Sequence, residues 1–173
     1  GFYKGGLEHG KWTFYHPKKD KIQQVISFTY GEEDGEWITY YENGKVESKG
    51  YYMGGLPDRE LEYYYENGNL RQKEYWSSGR LLSVSDYNNE NGAFLGKSTL
   101  KNGTGTKFTY FPNGKINIEA PFDSGYAHGW WKQYNANGIL VSEVYYHKGI
   151  KEGEFREYFE TGELSSTGYY IND

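Results

Sequence analysis

Cysteine is absent from the 173 residues, proline occurs four times, and Lys and Arg never form a run of five. The first absence excludes disulfides and thiolate sites but does not choose a compartment. The scattered cations, under a net charge of −5, lack the basic stripe that neutralises phosphates, which sets nucleic acid aside. They disfavour an anionic membrane surface for the same reason. No apolar run reaches the length of a transmembrane helix. No signal-peptide pattern opens the chain, so cytoplasm, cell envelope and secretion all stay open. Hydrophobic residues are scarce at 36%, whereas aromatics reach 20%, twenty of them Tyr, beside 24 Gly. A core must therefore be built from rings, and the pairing of rings with glycines points to strands separated by tight turns. Disordered chains are poor in aromatics, so disorder is excluded.

An internal period organises the whole chain. The segments "GEWITYYENGKV" from Gly35, "RELEYYYENGNL" from Arg59, "GTKFTYFPNGKI" from Gly105, "GWWKQYNANGIL" from Gly129 and "GEFREYFETGEL" from Gly153 align without gaps. "GKWTFYHPKKDKI" from Gly10 joins them with one extra residue in its turn. The starts are separated by 25, 24, 46, 24 and 24 residues, and the long step is two units. Tyr15, Tyr40, Tyr64, Tyr110, Tyr134 and Tyr158 share one column. Ile22, Val46, Leu70, Ile116, Leu140 and Leu164 share a second, and Phe28, Tyr52, Trp76, Phe122, Tyr146 and Tyr170 a third. A glycine column follows at Gly31, Gly55, Gly79, Gly125 and Gly149, and Tyr3 and Gly6 fit the same tail.

Each unit reads as strand, turn, strand, turn. Asn-Gly at Gly44, Gly68, Gly114 and Gly138 is a strong hairpin signal and predicts type I′ turns, which need positive φ at both residues. The later glycine column predicts the return turn. One lone hairpin buries too little to offset the entropy of ordering it, so the units must lean on one another in a row. The fold expected is all-β: an elongated antiparallel sheet, or solenoid, of about seven consecutive hairpins of about 24 residues, as one array over residues 1–173. The weak stretch from Leu82 to Thr104 is either a bend between two arrays or a decayed repeat that pairs normally, with Phe94 and Leu100 in its apolar slots. The array opens and closes mid-unit, as a fragment or an array with exposed edges would. The ring two residues into a unit (Trp12, Trp37, Phe155) and the Tyr five residues in are three apart, which requires a bulge or rings on both faces.

Chemistry is sparse. His9 and His128 precede unit starts, in a column that also holds Asp34, Asp58 and Glu152, and so read as solvated turn residues; His16 and His147 show no partner at ligand spacing. Glu42, Glu66 and Glu160 flank hairpin turns at unit spacing, each with its own hairpin, which is not the arrangement of an acid–base pair. "NGTGTK" from Asn102 lacks the spacing of a phosphate loop, and no nucleophile elbow or dinucleotide fingerprint is present. No catalytic residue, metal ligand or cofactor is predicted. The binding candidates are aromatic: Tyr41, Tyr65, Phe111 and Phe159 in a column that also admits His16 and Asn135, together with Trp37, Trp130 and Trp131. The variability of that column suits an exposed face, and exposed rings are common interface anchors. Rings that only brace cross-strand neighbours are the competing reading.

"YYENGKVESKGYYMGGLPD", "YNANGILVSEVYYHKGIKEGEF" and "NGTGTKFTYFPNGKI" resemble the MORN-variant repeat of bacterial proteins, over almost the entire chain. Proteins of that kind are commonly labelled YwqK-like antitoxins. The resemblance implies a non-enzymatic hairpin scaffold whose partner is another protein, a toxin being the named candidate. Some eukaryotic relatives are proposed to bind phosphoinositides, a carry-over that the acidic balance weakens. A cell-wall or glycan-binding module is the alternative, because "GWWKQY" is superficially similar to choline-binding repeats. Those place a ring cluster in nearly every unit, and this chain does not.

Overall fold

The computed structural model describes residues 1–17 and 20–171. They form antiparallel sheets of consecutive hairpins and, among the described residues, no helix. The chain divides into two compact units, Gly1–Arg80 with Glu90–Gly92, and Leu81–Asn89 with Ala93–Asp173. The first contains β1 (Phe2–Lys4), β2 (Leu7–Tyr15), β3 (Ile22–Thr29), β4 (Glu32–Tyr40), β5 (Val46–Met53), β6 (Leu56–Tyr64) and β7 (Leu70–Ser77), paired in chain order. The division falls inside β8 (Arg80–Val84). The second contains a ribbon of β9 (Tyr87–Asn88) and β10 (Phe94–Gly96). It also contains a sheet of β11 (Gly105–Tyr110), β12 (Ile116–Asp123), β14 (Gly129–Tyr134), β15 (Leu140–His147), β16 (Ile150–Tyr158) and β17 (Leu164–Tyr170), with β13 (Tyr126–Ala127) on β12.

One register recurs in every full hairpin. The Tyr column pairs directly with the aliphatic column: Tyr15 with Ile22, Tyr40 with Val46, Tyr64 with Leu70, Tyr110 with Ile116, Tyr134 with Leu140 and Tyr158 with Leu164. Just before that pair the returning strand carries one extra residue, namely Gln23, Glu47, Arg71, Asn117, Val141 or Ser165. This bulge lies on the second strand; a further register shift lies near the start of the first, where residues 34–36 of β4 oppose Ser27, 59–61 of β6 oppose Gly50 and 152–154 of β16 oppose Tyr145. Trp37 and Tyr40 keep opposite parity along β4, so both faces of the sheet carry rings.

The turns differ from the sequence expectation. Type I′ geometry occurs in the return turns, where both residues are left-handed: Tyr30 and Gly31 at φ 50° and 85°, Ser124 and Gly125 at 52° and 84°, Lys148 and Gly149 at 49° and 88°. In the Asn-Gly turns only the glycine has positive φ, at 83° for Gly44, 92° for Gly68, 81° for Gly114 and 82° for Gly138. The loop there has three residues. The Tyr41 N–H donates to the Lys45 carbonyl and the Gly44 N–H to the Tyr41 carbonyl, the pattern of a type I turn followed by a left-handed glycine. Asn-Gly is chosen here for the asparagine side chain. Asn43 Oδ1 accepts from the Lys45 N–H at 2.9 Å, while its Nδ2 donates to the Glu66 carbonyl at 3.0 Å.

That second bond reaches the next hairpin. Asn67 Nδ2 donates likewise to the Glu90 carbonyl, and Asn113 Nδ2 to that of Ala136. The lysine of "NGK" adds a parallel bond, Lys45 Nζ to the Asn67 carbonyl and Lys115 Nζ to that of Asn137. At the other end of the hairpins the return-turn glycine donates backwards: Gly31 N–H to Glu8, Gly55 to Glu33, Gly79 to Pro57, Gly125 to Gly103 and Gly149 to Ala127. The turns named here are thus tied to their counterparts in the neighbouring hairpin.

The degenerate unit keeps this frame. Tyr87 stands in the Tyr column, Gly92 in the Asn-Gly column, Leu100 in the ring column and Asn102-Gly103 in the return turn, at φ 50° and 81°. Tyr87 and Leu100 are buried, whereas Phe94 is exposed. Its second strand stops at Gly96. Beyond it the Ser98 and Thr99 hydroxyls accept from the Phe108 and Thr106 N–H groups, at 2.9 Å each, in place of ladder carbonyls.

Two substitutions of opposite sign test this geometry. A Cβ on Gly50 would lie 2.6 Å from Leu61 Cγ, so Gly50→Ala lowers stability by about 1–3 kcal/mol through overpacking. Lys148 holds φ 49° without being glycine, and Lys148→Gly raises stability by about 0.5–1 kcal/mol by relieving left-handed strain. Urea midpoints at constant slope measure both.

Candidate functional site

Strand parity sorts the side chains of each unit into a ring face and a charged face. On the ring face of the first unit, Trp12, Ile26 and Trp37 lie in line across β2, β3 and β4, followed by Gly50, Leu61 and Glu74 on β5, β6 and β7. Gly50 has no side chain, and Leu61 fills the space. Beside this row the aromatic column faces the residues that open each unit: Phe28 opposite Gly10, Tyr52 opposite Gly35, Trp76 opposite Arg59. The rings tilt onto the row, with Trp12 edge-on to Phe28 at 6.5 Å and Trp37 to Tyr52 at 5.9 Å. Arg59 is the exception among the starts. It holds φ 64° and lays its guanidinium over the Tyr51 ring at 3.9 Å.

Glu74 is a carboxylate only 2% exposed in this row. The Trp76 indole N–H donates to it at 2.9 Å and the Tyr63 hydroxyl at 3.1 Å. Burial, reinforced by the charge of Glu74, pushes the Tyr63 phenol well above its ordinary range. The ring face of the second unit repeats the scheme. Trp131, Val144, Phe155 and Gly168 lie in line across β14 to β17. Trp131 packs against Phe122 at 5.6 Å and Tyr146 at 4.8 Å, and its indole N–H donates to the Pro121 carbonyl at 3.2 Å. A hollow of about 130 Å³ between Ile118, Trp131, Val144 and Tyr146 opens on this face.

The charged face carries alternating ladders. In the first unit Lys49 Nζ and Lys73 Nζ each reach Glu62 at 2.7 Å, and Lys73 also reaches Glu60 at 2.7 Å. In the second unit Glu119 pairs with Lys132, Lys132 with Glu143, and Glu143 with Arg156. Arg156 lies 3.0 Å from Glu143 and 2.6 Å from Glu154, with its guanidinium 4.7 Å from the centre of the Trp130 ring. The tyrosine column is anchored here. Tyr64 donates its hydroxyl to Glu62, Tyr134 to Glu119 at 3.0 Å and Tyr158 to Glu143 at 2.8 Å. Burial and the hydrogen bond to Glu119 push the Tyr134 phenol up to about 12. Tyr110 donates instead to the Lys97 carbonyl at 3.1 Å, Tyr40 offers its carbonyl to His16, and Tyr15 is exposed.

The aromatic candidates do not converge on one patch. Trp37 and Trp131 stand on the ring faces, and Trp130 on the charged face. Tyr41, Tyr65 and Phe111 sit where strands enter Asn-Gly turns and Phe159 where one enters the Thr161-Gly162 turn, each closing its loop through its backbone N–H. Only Phe159, at 54%, is exposed; the other six are half-buried. The Tyr41 hydroxyl donates to the Tyr64 carbonyl of the next hairpin at 2.7 Å, and Arg71 lies over Tyr65. The ladders were not among the residues singled out from the sequence. Their signal was present, since Lys49 and Lys73, Glu119 and Glu143, and Lys132 and Arg156 are each 24 apart. Among the described residues no three His, Asp or Glu side chains gather as a metal-binding group, and no helix is long and apolar enough to cross a membrane.

The carboxylate of Glu62 makes stability depend on pH. Burial alone would raise it, but hydrogen bonds from Lys49, Lys73 and the Tyr64 hydroxyl outweigh burial and hold it far below the ordinary carboxylate range. A depressed carboxyl stabilises the fold above its unfolded value and loses that contribution as the pH falls through its folded value. Glu62→Gln therefore costs about 1 kcal/mol at pH 7, and the gap narrows steadily below about pH 4.5. Urea unfolding of both proteins at pH 7 and pH 2.5 reads the difference.

Comparison with known families agrees with the repeat geometry. The MORN repeat variant matches residues 33–53, 60–77, 104–124, 127–148 and 151–172, together more than half of the chain. The hairpin from Gly10 and the degenerate unit fall outside these matches, although they keep the same columns. No curated protein matches the chain. Five matched repeats, set in hairpins of one shared register, make this chain a member of the MORN repeat variant family.

Proposed function

We propose that the chain is a non-enzymatic scaffold that binds another protein through its ring faces. Repeats of this family form a non-enzymatic module and commonly mediate protein or membrane interactions. The observation that carries the reading is the row of half-exposed rings Trp37, Tyr52 and Trp76 on one face of the first unit's sheet. Rings held edge-to-face by their neighbours lose little side-chain freedom on contact, which suits them as interface anchors. A protein partner fits better than an anionic lipid, because cations on the charged face are already taken up by ladder carboxylates and the net charge is −5. Within that class the resemblance to antitoxins makes a toxin the first candidate.

The alternative ligand, a cell-wall glycan or choline, needs an open ring on which to stack. In the segment that suggested such a ligand, Arg156 lies over Trp130 and Trp131 packs against Phe122 and Tyr146. The two readings separate in solution. Co-expression with the product of the adjacent gene is expected to give a stable complex, and Trp37→Ala or Trp131→Ala to weaken it at least about tenfold. Quenching of tryptophan fluorescence by choline or wall oligosaccharides, with no complex formed, would reverse the conclusion.

A further inference from the structure

His128 and His147 are 19 residues apart in sequence and belong to different columns of the repeat. The structure sets them side by side. Gly129 pairs with Tyr146, so the register of β14 and β15 brings His128 opposite His147. Their ring centres are 5.2 Å apart with the planes inclined at 53°. Two imidazoles that share one tetrahedral ion, each nitrogen about 2.0–2.1 Å from it, have centres about 5 Å apart. Neither imidazole makes a hydrogen bond or ion pair with a described residue, and their recorded partners are only each other and the Tyr145 ring. The other two histidines are engaged: His9 Nδ1 accepts from the Tyr30 N–H at 3.5 Å, and His16 Nε2 lies 3.3 Å from the Tyr40 carbonyl.

We infer that His128 and His147 form a two-histidine clamp for a divalent transition ion such as Zn²⁺, Ni²⁺ or Cu²⁺. Imidazole nitrogen suits these ions and not Mg²⁺ or Ca²⁺, which take oxygen. The protein supplies two ligands, and water completes the coordination shell. His147 is solvent-exposed and His128 half-exposed, so the ion enters without rearrangement of the sheet. Its effect is to pin β14 to β15 beside the Lys148-Gly149 turn. Because only the paired strands present both nitrogens together, the ion favours the folded state. This clamp is separate from the ring faces and does not depend on the partner proposed for them.

Calorimetric titration of tag-free protein with ZnCl₂ and with NiCl₂ tests the assignment, alongside thermal unfolding with and without each ion. One ion per chain and a melting temperature that rises with ion concentration are expected. Both effects should fall at least tenfold in His128→Gln and in His147→Gln, and persist in His9→Gln and His16→Gln. Both altered positions are at least partly exposed, and far-UV circular dichroism verifies that each variant is folded. Absence of binding, or binding that survives either of the first two substitutions, overturns the clamp.

Discussion

Turn-to-turn hydrogen bonding between successive hairpins is the constraint on which the rest depends. A two-stranded hairpin is marginal in water, and strand pairing alone permits its neighbour to slip by a pair of residues. Here the hairpins that turn at Asn43, Asn67 and Asn113 are held to their neighbours. The asparagine and lysine of the Asn-Gly turn reach forward to the next turn, and the return-turn glycine donates back to the previous one. Slippage would break both sets together. The period of about 24 residues is therefore the spacing at which two turns and a bulge coincide with those of the neighbouring unit.

Once the register is held, the sheet can be different on its two faces. The bulge opposite each column tyrosine keeps one face for rings and the other for ladders, because it absorbs a residue without inverting the first strand. On the ring face, Phe28 packs edge-to-face on Trp12 and Tyr52 on Trp37. The residue opposite the aromatic has positive φ at Gly10, Gly35 and Arg59, and Arg59 is stacked on Tyr51. On the other face, tyrosine hydroxyls complete the shells of Glu62, Glu119 and Glu143, so the carboxylates are solvated by the protein itself. Isolated surface ion pairs contribute little; those aligned in ladders and joined by phenols form a network.

Most of the fold was legible in the columns, because a repeat displays each structural requirement several times over. Three details were not. The Asn-Gly turns are not type I′, since loop length and the use of Asn43 in an inter-unit bond override the preference of the isolated dipeptide. The degenerate unit hid its frame because Tyr87 and Gly92 survive while its second strand is replaced by hydroxyl acceptors from Ser98 and Thr99. The aromatic candidates rest on ring type and on a column that varies along the sequence, neither of which tells a ring on a sheet face from one at a strand's entry into a turn. Trp37 and Phe159 therefore entered one group, although one packs on Tyr52 and the other is exposed beside its turn.

The order of residues alone determined the all-β class, the unit length and the pairing of neighbours in a row. These follow from spacing, which is a one-dimensional property. Only the tertiary structure decided which residues meet across strands: Lys49 with Glu62, Arg156 with Trp130, His128 with His147. The physical reason is that the register shifts twice in these hairpins, by one residue beside the first turn and by two beside the return turn, and those shifts set which side chains stand opposite one another.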